Sequence, residues 1–207
     1  MESLTAALRC GADAVYAGGK SFSARQNAAN FDNIQLKEAV RLCHLYGKKL
    51  YLTVNTIILD NQIKEFSGFI AESLESGVDA FIVQDPGAAL IIKSISPQAR
   101  LHASTRSTIH SVHGALTAKK LGFERAVLSR ELTKTQIEQI SKLDIETEIF
   151  VHGALCMSVS GQCYMSSFIG QRSANRGLCA QTCRLPFSAC GNKNRCGLSL
   201  KDLSLIE

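Results

Sequence analysis

Three phrases, Cys10-Gly-Ala-Asp-Ala-Val-Tyr16, Ser76-Gly-Val-Asp-Ala-Phe-Ile-Val83 and Leu121-Gly-Phe-Glu-Arg-Ala-Val-Leu128, repeat one pattern along the chain. In each, a glycine closes an amphipathic stretch and an apolar, β-branched run begins soon after. Glycine enters the left-handed conformation that stops a helix without a Cβ penalty. The acidic residue two positions later (Asp13, Asp79, Glu124) suits a tight loop from helix to strand. The repeated unit is therefore helix, glycine stop, short loop, strand.

The same alternation extends through the first 150 residues. The spans Ala14 to Ala17, Leu50 to Asn55, Ala80 to Gln84, Leu101 to Ser104, Arg125 to Ser129 and Thr147 to Val151 read as strands. Between them, Ile34 to Tyr46, Ile63 to Ser76, His110 to Leu121 and Thr135 to Leu143 carry helical periodicity. Near-continuous apolar runs separated by helices predict a parallel sheet covered by helices, an α/β fold. A TIM-like (β/α)8 barrel is the leading architecture, and an incomplete one, because six strands are two short of closure. A doubly wound open sheet is the alternative, but Gly18-Gly19-Lys20 lacks the G-x-G-x-x-G spacing of a dinucleotide loop. The expected organisation is βα barrel units over residues 1–155 and a cysteine-rich metal-binding segment over 156–207 that continues into the barrel.

With 207 residues, 45% hydrophobic and 20% charged, the chain has the composition of a globular protein with one sizeable core. It has no run of about 18 apolar residues to span a bilayer, and its start has neither the basic nor the apolar region of a signal peptide. A cytoplasmic location is expected. In that reducing compartment the eight cysteines do not form a disulfide framework, and six of them fall between residues 156 and 196. The net charge of +5 is also localised: Arg172, Arg176, Arg184, Lys193, Arg195 and Lys201 occur between Ile149 and Lys201 without an Asp or Glu. Such a segment either lies solvated as a basic loop, offsets metal-bound thiolates, or attracts an anion such as RNA or a carboxylate.

In parallel barrels chemistry gathers at the carboxyl ends of the strands. The polar residues there are Asn55, Gln84, Asp85, His102, Ser104, Thr105, Arg130, Glu131 and, after the last strand, His152. Directly beyond comes Cys156-x6-Cys163-x15-Cys179-x3-Cys183. Thiolates select Zn²⁺ or an iron–sulfur cluster. Structural zinc sites favour tighter paired spacing, while four cysteines satisfy a [4Fe–4S] cluster, so spacing leaves both open. Cys190 or Cys196 could replace Cys183, whereas Cys10 and Cys43 lie in helical stretches and read as core thiols. A rival pairing makes Cys156 a nucleophile activated by His152, although the glycine between them works against one helical face.

The run Glu148-Ile-Phe-Val-His-Gly-Ala-Leu-Cys156-Met-Ser-Val-Ser-Gly161-Gln-Cys163, followed by Arg172-Ser-Ala-Asn-Arg-Gly-Leu-Cys179-Ala-Gln-Thr-Cys183-Arg-Leu-Pro186, strongly resembles the motif of peptidase family U32, the collagenase-like peptidases. Gly11-Ala-Asp-Ala-Val-Tyr16, Ser21-Phe-Ser-Ala-Arg25, Val54-Asn-Thr56, Val83-Gln-Asp85, Leu101-His-Ala-Ser-Thr105 and Ser199-Leu-Lys-Asp-Leu203 resemble further family blocks. The resemblance implies oxygen-independent hydroxylation of a tRNA or ribosomal RNA base, with prephenate as oxygen donor, or a step in quinone synthesis. It implies an iron–sulfur cluster on Cys156, Cys163 and Cys179, with Cys183 or a later cysteine as fourth ligand. His102, Arg130, Glu131, Glu148 and His152 would then line a catalytic pocket, and Asn55, Gln84, Asp85, Arg172 and Arg176 would meet substrate. The alternatives are a collagenase-like peptidase and a zinc-stabilised RNA-binding module without activity. The resemblance also implies further strands before and after this chain, leaving an open barrel edge near Val15.

Overall fold

The computed structural model describes residues 1–153 and 156–185. Helix α1 (Glu2–Arg9) precedes β1 (Ala14–Gly18), and five βα repeats follow: α2 (Asn33–Leu45), β2 (Lys49–Val54), α3 (Ile63–Glu75), β3 (Ala80–Val83), α4 (Pro86–Ile95), β4 (Leu101–Ala103), α5 (Val112–Lys120), β5 (Arg125–Val127), α6 (Lys134–Ile140) and β6 (Glu146–Glu148). A short helix, α7 (Met165–Gly170), lies within the cysteine segment. The strands form one parallel sheet in the order β1 to β6, an incomplete TIM-like barrel. Among the described residues, β1 and β6 each have one neighbour.

The glycine stops behave as the sequence requires. Gly11, Gly77 and Gly122 have φ of +87°, +83° and +87°, each directly after the residue that caps the C-terminus of α1, α3 or α5. The acidic residue that follows then ties neighbouring units: Asp79 Oδ2 accepts the Leu50 N–H at 2.7 Å, and Glu124 accepts Arg100 Nε at 2.7 Å.

Alternation within the strands divides the sheet into two faces. Leu50, Leu52, Val54, Phe81, Val83, Leu101, Ala103, Ala126 and Leu128 are buried against the helices. The helices meet them with apolar stripes, such as Leu36, Ala39, Val40 and Cys43 at helical spacing on α2. Tyr51, Ala80 and Ile82 cluster separately on the opposite, inner face. Cys43 is a core thiol, and burial, with Asp79 a lesser cause, raises its pKa. Cys10 is not, contrary to expectation: it caps the C-terminus of α1 two residues past buried Leu8, turned off that helix's inward stripe, and is exposed.

One strand boundary and one unexpected helix depart most from expectation. Strand β6 covers Glu146–Glu148, not Thr147 to Val151, and Ile149, Phe150 and Val151 are 45%, 47% and 84% exposed. Arg125 on β5 fixes the register by reaching Glu146 and Glu148. Beyond them the apolar run leaves the sheet to enter the cysteine segment. Helix α4, which is not among the expected helices, starts at the sequence Asp85-Pro86: Asp85 caps it by accepting the Gly87 N–H at 2.8 Å, with proline at the first helical position.

Candidate functional site at the carboxyl edge of the sheet

The loops after β1, β2, β4 and β5 form a ledge on which residues 156–185 rest, held by two separate clamps. The first is built by the loop after β5. Arg130 donates from Nη1 to the Cys156 carbonyl and from Nη2 to the Ser158 carbonyl, both at 2.9 Å. Glu131 Oε1 accepts the Ser160 N–H at 2.9 Å and its hydroxyl at 3.1 Å. Burial pushes the Glu131 carboxyl up, but hydrogen bonds from its own backbone N–H and from Ser160, with Arg130 beside it, outweigh this and hold it below the usual carboxylate range. The second Glu131 oxygen lies 3.1 Å from His110 Nε2. Thr108 completes this clamp by donating to the Ser160 carbonyl at 2.8 Å.

The second clamp joins residues 174–178 to the loops after β1 and β2. Asn175 is buried, and its carbonyl accepts the Ile57 N–H at 3.0 Å. The Gly177 carbonyl accepts the Gln26 N–H at 3.3 Å. Asn55 orders this ledge from below, accepting the Ala24 N–H at 2.9 Å. Gly177, at φ +83°, leaves no room for a Cβ against the Ser23 carbonyl.

Arg106 connects the two clamps. Its guanidinium donates to the Asn55 carbonyl at 3.1 Å, to the Ala174 carbonyl, and to Asn175 Oδ1 at 3.1 Å. Its own carbonyl lies directly against Gly161. Burial lowers the Arg106 pKa, and attraction to Cys179, Cys156 and Cys163 opposes that shift. Burial, followed by repulsion from Cys156 and Cys179 and, less strongly, Cys163, raises the Cys183 thiol. Cys156, Cys163 and Cys179 thus act electrostatically on Arg106, and the same three thiols act on Cys183, where Arg184 opposes them. Among the described residues, no three His, Cys, Asp or Glu side chains stand close enough to hold a single metal ion. Cys190 and Cys196 lie outside the described residues.

The remaining candidates occupy different positions. His102 is 1% exposed on the inner face, aligned with Ile82 and Arg125 and packed edge-to-face on Tyr51 with ring centroids 4.7 Å apart. Burial, then Arg125, pulls its pKa down to about 4, so the ring is neutral near pH 7. The charges acting on it are Arg125, Arg100, Glu146 and Glu124, at the amino ends of the strands rather than beside the thiols. Glu148 belongs to the same inner layer, paired with Arg125 Nη1 at 3.1 Å. Asp85 is engaged by the α4 cap and the Ile58 N–H. His152 and Arg172 are exposed, and Arg176 is half-buried. Among the described residues, Gln84 Oε1, His102 Nδ1 and Ser129 Oγ are buried and find no hydrogen-bond partner, groups that a ligand could complete. Arg130, Glu131 and Asn55 therefore position the cysteine segment, whereas Gln84 and His102 keep an unengaged polar atom.

Arg106 and Ser129 were not singled out by sequence. Arg106 directly follows the Leu101-His-Ala-Ser-Thr105 block, but its partners lie 51 to 69 residues away, beyond any local spacing rule.

A parallel, partly closed barrel with a four-cysteine excursion clamped over its carboxyl edge defines the structural class. The chain belongs to peptidase family U32, whose family model matches residues 1–207. It is 44% identical over 186 residues to the 23S rRNA 5-hydroxycytidine C2501 synthase of Escherichia coli K12, an alignment covering 89% of this chain and 28% of that protein. It is 36% identical to tRNA hydroxylation protein P of the same organism, over 91% of this chain and 42% of that protein. The chain thus spans under half the length of these relatives. Among solved structures, one titled the structure of the U32 peptidase Mk0906 superposes with a TM-score of 0.59 at 12% identity, covering 70% of this chain and 62% of that one, a likeness of fold.

Proposed function

We propose that this chain is the cluster-bearing barrel portion of an enzyme that hydroxylates a base in tRNA or ribosomal RNA. The observation that carries this reading is the clamping of the segment that bears Cys156, Cys163, Cys179 and Cys183 over the carboxyl edge of a parallel barrel, held there by Arg130, Glu131 and Arg106. The names of the two RNA-modifying relatives support the substrate class.

The donor set fits a [4Fe–4S] cluster better than one zinc ion. A single ion needs its sulfurs at about 2.3 Å, nearly touching one another, whereas a cubane carries each thiolate on a separate iron corner. All-sulfur ligation selects soft metals, and a cluster held by four thiolates would keep net negative charge, which the Arg106 cation would offset. Cys190 or Cys196 could serve in place of Cys183. When bound, the cluster supplies redox or Lewis-acid capacity at the barrel mouth. Arg130 and Glu131 keep the segment seated, and Gln84, Ser129 and neutral His102 offer polar atoms inside. The acid-free run from Ile149 to Lys201, with Arg172 and Arg176, draws in phosphate. Prephenate, a small dicarboxylate, is the oxygen donor in this reading.

Replacing Cys156, Cys163 and Cys179 together by serine tests it. The anaerobically purified variant should be colourless, and RNA incubated with it should lose the base heavier by one oxygen atom that mass spectrometry of its nucleosides finds with the unaltered chain. A colourless variant that hydroxylates as well as the parent would remove the cluster from the mechanism.

A further inference from the structure

Between Cys163 and Cys179 the chain forms α7, and this short helix places its apolar side chains unusually. Its inward face is polar and occupied: Ser166 is 2% exposed, and its hydroxyl accepts the Ala180 N–H at 3.2 Å and meets the Thr182 hydroxyl at 3.5 Å. Its outward side carries Tyr164 at 55% exposure, Phe168 at 87% and Ile169 at 59%. Single exposed apolar residues are ordinary, but Tyr164, at the N-cap of α7, and Phe168 stand four residues apart, the spacing that places side chains on one side of a helix.

The helix stop adds charge to that surface. Gln171 takes a left-handed conformation at φ +51°, and the Arg172 N–H bonds to the Ser166 carbonyl at 3.1 Å. This six-to-one closure turns the chain back on the helix, so exposed Arg172 follows the aromatic face directly, with Arg176 in the next turn. No acidic residue occurs in the whole segment. An apolar protein partner would gain nothing from this acid-free setting, whereas a polyanion with exposed ring faces matches both features. Unpaired RNA has them: its bases stack on aromatic side chains and its phosphates meet arginine. A duplex buries those faces within its own stack.

We propose that Tyr164 and Phe168 form a stacking platform for unpaired RNA bases, with Arg172 and Arg176 on the adjoining phosphates. Because Cys163 immediately precedes Tyr164, a strand lying on the platform passes the thiol site. This inference rests on the RNA-modifying reading and narrows its substrate to single-stranded or looped RNA.

The test is fluorescence anisotropy of the full 207-residue chain with a labelled single-stranded RNA and with the same strand annealed to its complement. Phe168 and Tyr164 are exposed, so Phe168→Ala and Tyr164→Ala leave the core intact. Each should weaken single-strand binding by roughly 5- to 150-fold and barely change duplex binding. Phe168→Trp should restore affinity. Arg172→Gln should lower the log-log salt slope by about 0.7. The platform is overturned if the parent chain does not bind the strand, if Phe168→Ala binds as tightly as the parent, or if that variant instead loses self-association in sedimentation while RNA affinity is unchanged. Nucleoside mass spectrometry on the same samples separates the two readings. Ring-dependent binding without an oxygenated base keeps the platform and removes hydroxylation; turnover unaffected by Phe168→Ala does the reverse.

Discussion

Gly161→Ala is expected to unseat the cysteine segment from the barrel. Gly161 has φ +77°, and a Cβ there would overlap the Arg106 carbonyl oxygen, lie 2.8 Å from the carbonyl carbon and 3.0 Å from Thr108 Oγ1. The left-handed conformation alone costs an L-residue about 1 kcal/mol. The backbone overlap adds more, because neither Gly161 nor Arg106 can retreat without breaking the Ser160 bonds to Glu131 and Thr108 on one side or the Arg106 fork on the other. A total of about 3 kcal/mol or more places this among the severe substitutions. Gly47 is the control: at φ +66° with nothing within 4 Å of a built Cβ, it isolates the conformational cost. Chemical denaturation together with limited proteolysis of residues 156–185 should show Gly161→Ala losing about three times as much stability as Gly47→Ala, with early cleavage in the segment. Equal losses would mean that the contact with Arg106 does not hold the segment.

Arg106→Gln should act at the other side of the same contact. The guanidinium satisfies acceptors on three stretches of chain, at Asn55, Ala174 and Asn175, and glutamine cannot span them. Buried acceptors left unpaired cost about 1–3 kcal/mol each at most, so a loss of about 2–4 kcal/mol is expected in denaturation. Arg106→Lys should recover only part of it, since an ammonium keeps the charge but lacks the planar fork. The charge has its own readout. A cation near a cluster favours the more negative, reduced state, so the potential of the proposed cluster should become more negative in Arg106→Gln and change less in Arg106→Lys. Identical potentials in all three proteins would show that Arg106 serves only as a hydrogen-bonding pin.

The barrel units were legible because their cause is local. A glycine that must be left-handed, an acidic residue two positions on and an apolar run are all within eight residues, and Gly11, Gly77 and Gly122 adopt the conformation required. Where a boundary depended on tertiary contact, local reading failed. The run Ile149-Phe150-Val151 has strand composition, yet the sheet ends at Glu148, because Arg125 anchors the two glutamates and the apolar residues leave for the cysteine segment. Cys10 read as core from helical context, but its position at the end of α1 turns it outward.

The site was legible in composition rather than in role. Cys156, Cys163, Cys179 and Cys183 are visible as a set because thiols are rare and clustered. Arg130 and Glu131 read as catalytic groups because they follow a strand, and in the fold they also grip Cys156 to Ser160, a role that local sequence does not signal. His102 reads as a residue lining a catalytic pocket, and its place is the inner layer with Tyr51 and Arg125. Arg106 carried no sequence signal, since its importance arises only when segments about 50 and 70 residues away fold onto it.

The most direct test of the central claim is the iron and acid-labile sulfide content of the anaerobically purified chain, read with its ultraviolet–visible spectrum. A [4Fe–4S] cluster predicts a brown protein with iron and sulfide in equal amounts, about four of each per chain, absent from the triple cysteine variant. A colourless protein containing zinc, or one with neither iron nor sulfide after reconstitution, would contradict it.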